Sequence, residues 1–451
     1  MTQDNSLLAM IRFGYGLRPD APASNRAGLL RHLSEPDRIE TQRNPVNLAT
    51  RASLLREYGE LRRSMRKGNA SAKAMRQAKA PLRDLARDDF LASIIRPLMS
   101  DNGLRERLVA FWSDHFTVSA KSPQLVALLG DYHNTAIRPH VAGRFVDMLR
   151  AVIRHPAMLI YLDQTISVGP NSSIGKRAGR GLNENLAREL LELHTLGVGS
   201  AYGQEDVTQL AALLTGLRVT PNGFRFNPSL AEPGAEVVLG ASYGGGAARL
   251  ADIDAALDDL ALHPDTARHL ATKLVAHFIS DTPDPGMITA MSDAYLAADG
   301  DMMALYKTML DHPASWGTRL EKVKPPFDYV VSSLRALSVI PKALDALNRK
   351  DLRNGIAQPL IAMGQTPARP PGPDGWPETA DAWITPALLT ARIEWSAGLA
   401  RLFAEDLDPR TFLETALGGL ASRNLTFAAA GAETRWEGVA VVLASPEFNR
   451  R

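Results

Sequence analysis

The stretch NENLARELLELHTLGV, residues 183–198, decides the reading of the fold. At about 100° per residue, Leu186, Ala187, Leu190, Leu193 and His194 gather on one face. Glu184, Asn185, Arg188, Glu189 and Glu192 gather on the other. Asn183 is placed to cap the start of this helix and Gly197 to stop it. Apolar residues recur three and four apart again at 104–118, 141–162, 204–217, 251–279, 286–311 and 379–404. Strand character is confined to LRVTPNGFRF, residues 217–226, where Asn222-Gly223 supplies the positive φ of a tight turn. Val237-Val238-Leu239 adds a short strand before the Gly-rich run ASYGGGAA. The expected class is all-α: a large, multi-helix, bundle-like domain with a small β-hairpin excursion near 218–240.

A chain of 451 residues can bury a large core, and one helical domain over 1–451 is expected. Its net charge of +2 gives no global pull toward nucleic acid or membranes. The absence of cysteine removes disulfides, thiolate metal sites and cysteine nucleophiles. MTQDNSLLAMIRFGYGLRPD carries acid and amide residues where a secretory signal needs basic ones, and Arg12 and Gly14 interrupt its apolar run. No segment approaches the roughly 18 apolar residues of a membrane span. A soluble, cytoplasmic protein is expected, with export alongside a partner left open.

Two segments stand apart. Residues 51–87 hold eleven Lys or Arg against Glu57, Glu60 and Asp84, with Gly68-Asn69 as a turn and Pro81 as punctuation. They read as a basic helical hairpin whose default role is a solvated arm. Residues 366–386, TPARPPGPDGWPETADAWITP, form a Pro-rich loop carrying Trp376 and Trp383. Loops of that length in compact domains are often functional. His155, His263 and His312 each precede a proline and read as helix-start residues.

The polar face of 183–194 is the densest cluster of chemistry-bearing side chains. As a surface helix it would be laced by Glu184–Arg188 and Arg188–Glu192 pairs. Turned inward, it would supply Glu189 or Glu192 as general base, with Asn183 and Asn185 orienting a substrate. Such a base should be desolvated so that its pKa rises. The preceding loop is one residue too long for a nucleotide-binding P-loop, has Arg177 where Ser or Thr is required, and follows no strand. Ser172, Ser173, Lys176, Arg177 and Arg180 nevertheless lie ahead of a helix start, where an anion is favoured. A second cluster holds Asp114 and His115, then His133, Asn134, Arg138 and His140. The seven-residue separation of His133 and His140 does not suit a one-helix metal site, so no metal is expected.

RHPAMLIYLD at 154–163, NENLARELLELHTLGV at 183–198 and YGQEDVTQLAALLTGL at 202–217 together resemble the signature of the Domain of Unknown Function 1800 family. RFGYGLRP, FWSDHF (111–116), IRPHVAGRF, HPDTARHLATKLVAHF (263–278), GWP (375–377) and SPEF extend the resemblance along nearly the whole chain. It implies one helical family domain and raises the interest of the polar helix face, His115, His140, His155 and the Trp376 loop. It implies no established reaction and names no cofactor. Members often occur beside the Domain of Unknown Function 1501 family, which is similar to phosphatase- and sulfatase-type enzymes, so a partner of that family is implied. The chain departs from the pattern at Ala231-Glu232, where relatives often carry His-Asp, and at Ser113-Asp114, where they tend to carry His-Asn.

Three readings follow. In the first, an enzyme uses Glu189, Glu192, Asn183, Asn185 and His115 for chemistry. Arg180, Arg188, Lys176, Ser172, His140 and Trp376 then bind a polar, anionic substrate such as a phospho- or sulfo-ester or an envelope component. In the second, a non-catalytic helical adaptor docks a neighbouring enzyme through the basic hairpin and the Trp loop. Nucleic-acid binding is a distant third, lacking aromatic interleaving and any known module.

Overall fold

The computed structural model describes residues 5–19, 24–37, 46–69, 71–101, 103–179 and 181–451. The chain is mostly helical, and its strands form two small antiparallel hairpins. The first pairs β1 (Leu217–Thr220) with β2 (Gly223–Phe226), closed by Gly223 at φ +102°. The second pairs β3 (Gly234–Val238) with β4 (Ala241–Gly246). The Gly-rich run, for which the sequence offered no element, therefore forms a strand. Its Gly244 has φ +92°, and a Cβ there would meet Gly234 O at 2.5 Å, so the close strand approach requires glycine.

The basic segment folds as α1 (Leu48–Arg66) and α2 (Ala72–Met99), packed on each other. Asn47 and Ser71 cap them by accepting from Thr50 N and Ala74 N. Pro81 does not break α2. It removes one backbone donor, but Leu82 and Leu85 are buried with Tyr58 and Ala127 and hold the helix straight through. Nor is every cation of the arm solvated. Arg51 is fully buried, donating to both oxygens of Asp89 at 2.8 Å and to the carbonyls of Val46 and Ala127.

Each His-Pro pair starts a helical segment in the same way. The Nδ1 atoms of His155, His263 and His312 accept from the backbone N–H two residues on, at 3.1, 3.2 and 3.3 Å. Proline then occupies the position where a missing N–H costs nothing. Among the described residues no helix is long and apolar enough to cross a membrane.

Burial divides into two large apolar cores. One gathers Trp112, Phe116, Phe145, Leu190, Leu270 and Tyr306. The other gathers Ile94, Tyr329, Leu334, Met363, Leu443 and Phe448. Charged side chains are buried where helices of the two meet. Asp328 of α7 (Pro326–Ala336) accepts from Arg107 of α3 (Leu104–His115) and from Arg451. Arg107 also donates through Nη2 to His277 Nε2 at 2.8 Å, on α6 (Pro264–Phe278). Arg451 is drawn in by backbone bonds between 449–451 and 322–324, and Arg392 joins this strip by donating to Asn449 Oδ1 and Lys324 O, both at 2.9 Å.

Removing one member of a buried charge group strands the others in low dielectric. Asp328→Asn is expected to cost about 3–5 kcal/mol, measured as a shift of the urea-unfolding transition. A change below about 1 kcal/mol, the scale of a surface pair, would show that the seam is not holding the cores together.

Candidate functional site

A cavity of about 510 Å³ opens beside this seam, between α2, α3 and the Pro-rich loop. Its wall is mainly apolar, with Phe90, Val109, Leu129, Phe327 and Trp376 among the lining residues. Volume and lining suit a small-molecule site. Into it face Asp114 at the end of α3, His277 from α6 and Glu378 from the loop.

The loop itself orients Asp114. Trp376 N donates to both carboxylate oxygens, at 3.0 and 3.1 Å. Gly375 makes that approach possible: its φ is +89°, and a Cβ would lie 2.5 Å from Asp114 Oδ2. None of the described residues forms an ion pair with Asp114. Burial pushes its pKa up to about 7, with Glu378 and Asp374 adding to the rise while Lys273 and the Trp376 N–H oppose it.

Glu378 goes the other way. Burial alone would raise it, but His277, Lys322 and Arg451 outweigh that and hold it at about 2. Lys322, buried, donates to Asp281 and to the Glu378 carbonyl. The tautomer of His277 follows from its partners. Arginine can only donate, so Nε2 is the acceptor from Arg107 and Nδ1–H donates to Glu378 Oε1 at 2.7 Å. Burial lowers His277 to about 4, so the ring is neutral at pH 7. Two carboxyls on one wall thus differ in charge state near neutrality.

The polar face of 183–194 lies elsewhere. Arg188 pairs with Glu184 at 3.2 Å and Glu192 at 3.4 Å, and all three are partly exposed. Gln204 and Thr208 complete the network by donating to Glu184 at 2.9 Å. Asn183 accepts from Asn185 N at 2.9 Å and so acts as a turn residue, while Asn185 itself is exposed. The regular helix expected through 194 ends early: Asn185–Glu189 is α-helical and Leu190–His194 is a π turn. Glu189 is half-buried beside that network. Burial raises its pKa, with Glu192 and Asp374 adding to the rise. Asp374 acts on Asp114 as well, so the Pro-rich loop stands in electrostatic reach of both carboxyls.

The remaining expected site residues are dispersed. Trp376 lines the cavity. His115 is buried behind Asp114, bonded through Nε2 to His194 O at 3.1 Å. His140 is half-buried, with Asp147 as its charged neighbour. Ser172 accepts from Gly175 N at 2.9 Å, and Lys176 is exposed. Arg180 lies outside the described residues. The loop ahead of the helix is held by a carboxylate, since Glu232 accepts from Asn171 N at 2.9 Å and Asn171 Nδ2 at 2.5 Å. Its negative charge therefore lies in the loop considered for an anion.

Sequence reasoning passed over Asp328, Lys273, His277 and Glu378. The available signal was the spacing of His269, Lys273 and His277, four apart on one face of α6. Among the described residues no group of three or more His, Asp or Glu side chains is placed to hold a metal ion.

The charge state of Asp114 makes a signed prediction. Below pH 4 it is protonated whether folded or unfolded and contributes nothing. Between about 4 and 7 only the folded chain keeps the proton, so rising pH removes stability, and the cost is complete above 7. The stability of Asp114→Asn relative to wild type should therefore climb across that window and level off. The buried His133, His269 and His277, lowered to about 4, and His194, lowered to about 3, have the opposite sign, but they are common to both proteins. Unfolding at a series of pH values checks this, and a pH-independent difference would contradict it.

Asp114, His277 and Trp376 come from FWSDHF, HPDTARHLATKLVAHF and GWP, three separate segments that the fold brings to one wall. No curated protein and no solved structure matches the chain. The family described as Protein of unknown function (DUF1800) matches residues 8–450, and the chain belongs to that family.

Proposed function

We propose that the protein is an enzyme performing acid–base chemistry on a substrate held in the cavity beside the Trp376 loop. The observation that carries this reading is Asp114, a cavity-wall carboxyl held by a backbone N–H and, among the described residues, in no ion pair, with burial bringing its pKa near neutrality. A proton donor or acceptor is most effective when its pKa lies near the working pH. The ionised Glu378 on the same wall supplies the contrasting charge, and environments that drive two carboxyls apart are a pattern of acid–base sites. Glu189, half-buried with a raised pKa, keeps its place as a second candidate base, outside the lining of this cavity.

For the substrate this reading favours an uncharged compound over the polar, anionic one that the sequence suggests. Arg188 is engaged by Glu184 and Glu192, and Arg138 by Glu106 and Asp37. With these guanidiniums occupied and the wall largely apolar, an uncharged substrate with an apolar body suits the cavity better than an anion. A partner of the Domain of Unknown Function 1501 family is a companion proposal, supported by the exposed side chains of Leu402 and Phe427.

The test is turnover of a panel of esters, glycosides and carbonyl compounds across pH 5–9. Wild type should show activity dependent on a group titrating near 7. Asp114→Asn should lose about a hundredfold to ten-thousandfold in kcat/KM with its circular dichroism unchanged. A variant as active as wild type, or carboxyl NMR placing Asp114 in the ordinary range, would overturn the assignment.

A further inference from the structure

We propose that His133 and Asn134 form a second subsite of the cavity, a pair of hydrogen-bond donors that holds the oxygen of an elongated, uncharged ligand at the end away from Asp114. This deepens the acid–base reading above and rests on it for the chemistry at the Asp114 end.

The cavity runs along α3. Glu106, Val109, Ala110, Ser113 and Asp114 all line it, and their spacing of three and four puts them on one face of the helix. Glu106 and Asp114 are eight residues apart, about 12 Å along the axis. From α2 come Phe90, Ser93 and Arg96, again three apart. The Trp376 loop meets the Asp114 end. The Glu106 end is built by a π turn, His133–Ile137, which continues the helix Pro123–Tyr132. Two contacts put the turn there. Arg138, the residue after it, gives both Nη atoms to the Glu106 carboxylate at 2.8 and 2.5 Å, and Asn134 Oδ1 accepts from Arg96 Nη1 at 2.6 Å. The described residues also form π turns at Ala9–Phe13, Leu190–His194 and Arg353–Ala357, and none of these lines the cavity. Such turns are rare and recur at functional sites.

The hydrogen bonds of the turn are incomplete in a way that fits a ligand. A guanidinium only donates, so the Asn134 oxygen faces Arg96 and its NH2 points elsewhere. Asn134 is buried, yet that NH2 has no acceptor among the described residues. Asn449 shows what a structural asparagine does here: its Oδ1 accepts from Arg392, and its Nδ2 donates to the carbonyls of Leu443 and Ser445. His133 makes the same contrast. It is half-buried at the cavity wall, and no described residue hydrogen-bonds its ring. The structural His155 uses both nitrogens, one on Asp131 and one on Ala157 N. Burial lowers His133 to about 4, with Arg96, His155, Arg138 and Arg51 adding to the fall, so at pH 7 the ring is neutral and has one N–H to give. A buried donor without an acceptor is a cost that an incoming oxygen removes.

Charge decides the class of ligand. Glu106 and Asp89 line the cavity as well, so an anion would face two carboxylates. A cation would meet Arg96, Arg138 and two further donors. An uncharged oxygen, as in a ketone, ester or amide, meets neither repulsion, and the apolar wall between the two ends takes its chain.

Titration of the full chain with methyl ketones tests this, read by tryptophan fluorescence because Trp376 lines the cavity. Affinity should climb about fourfold per methylene from 2-hexanone to 2-nonanone. Octanoate and octylamine should bind at least about tenfold more weakly than 2-nonanone. His133→Phe keeps a ring and removes its N–H, and Asn134→Asp keeps an oxygen facing Arg96 and removes the NH2. Each should weaken 2-nonanone about fivefold to tenfold with circular dichroism unchanged. A flat ketone series, or affinity unchanged in both variants, overturns the proposal. So does octanoate binding more tightly than the ketone, which would make this an anion site. If the variants fail to fold, nitrogen NMR of the wild-type histidine rings decides, since saturating 2-nonanone has to shift the His133 N–H and no shift overturns the subsite. Asp114→Asn separates the two readings. Ketone binding that still depends on His133 and Asn134 in this variant supports the subsite even where turnover of every compound in the panel fails and the acid–base reading falls. Turnover that needs Asp114 but has the same kcat/KM in His133→Phe and Asn134→Asp as in wild type removes the subsite and leaves the acid–base reading standing.

Discussion

Asp328 accepts from two guanidiniums that are far apart in the chain, Arg107 on α3 and Arg451 beside the 322–324 strip. Three buried charges in one place are tolerable only when each has a partner, since an isolated ion in low dielectric would lose several kcal/mol of hydration. The group therefore ties together elements of the two apolar cores. Arg107 extends the same chain of contacts to His277, and His277 extends it to Glu378 and Lys322. What begins as a structural seam ends at the wall of a cavity.

This continuity explains why ionisable groups a few side chains apart behave so differently. Glu378 has His277, Lys322 and Arg451 around it, so attraction outweighs burial and it stays charged. Asp114 has burial and, among the described residues, no ion-paired cation, so it holds its proton to near neutrality. Four buried histidines are neutral for the same reason as Asp114, because burial penalises whichever form carries charge. The Pro-rich loop is the third party. It brings the Trp376 N–H to Asp114, and Glu378 follows two residues later.

Helix character was legible because it is local. Apolar spacing placed the helices, Asn-Gly marked the first hairpin, and His-Pro marked three starts, each confirmed by a ring nitrogen accepting the N–H two residues on. The π turn at Leu190–His194 was not legible, because a single widened turn leaves the same letters at nearly the same spacing. The strand at Ala241–Gly246 was hidden by its glycines, whose use is a close chain approach rather than side-chain packing.

The sequence by itself determined a cysteine-free, mostly helical chain, the family it belongs to, and which segments carry unusual polar residues. Only the tertiary structure decided which of those residues meet. Glu184, Arg188 and Glu192 are one helical turn apart, so they find each other whatever the fold does, and they spend their charges locally. Asp114, His277 and Glu378 are separated by long stretches of chain. Their burial and partners, and hence their protonation, are set by packing between helices, which no spacing along the chain encodes.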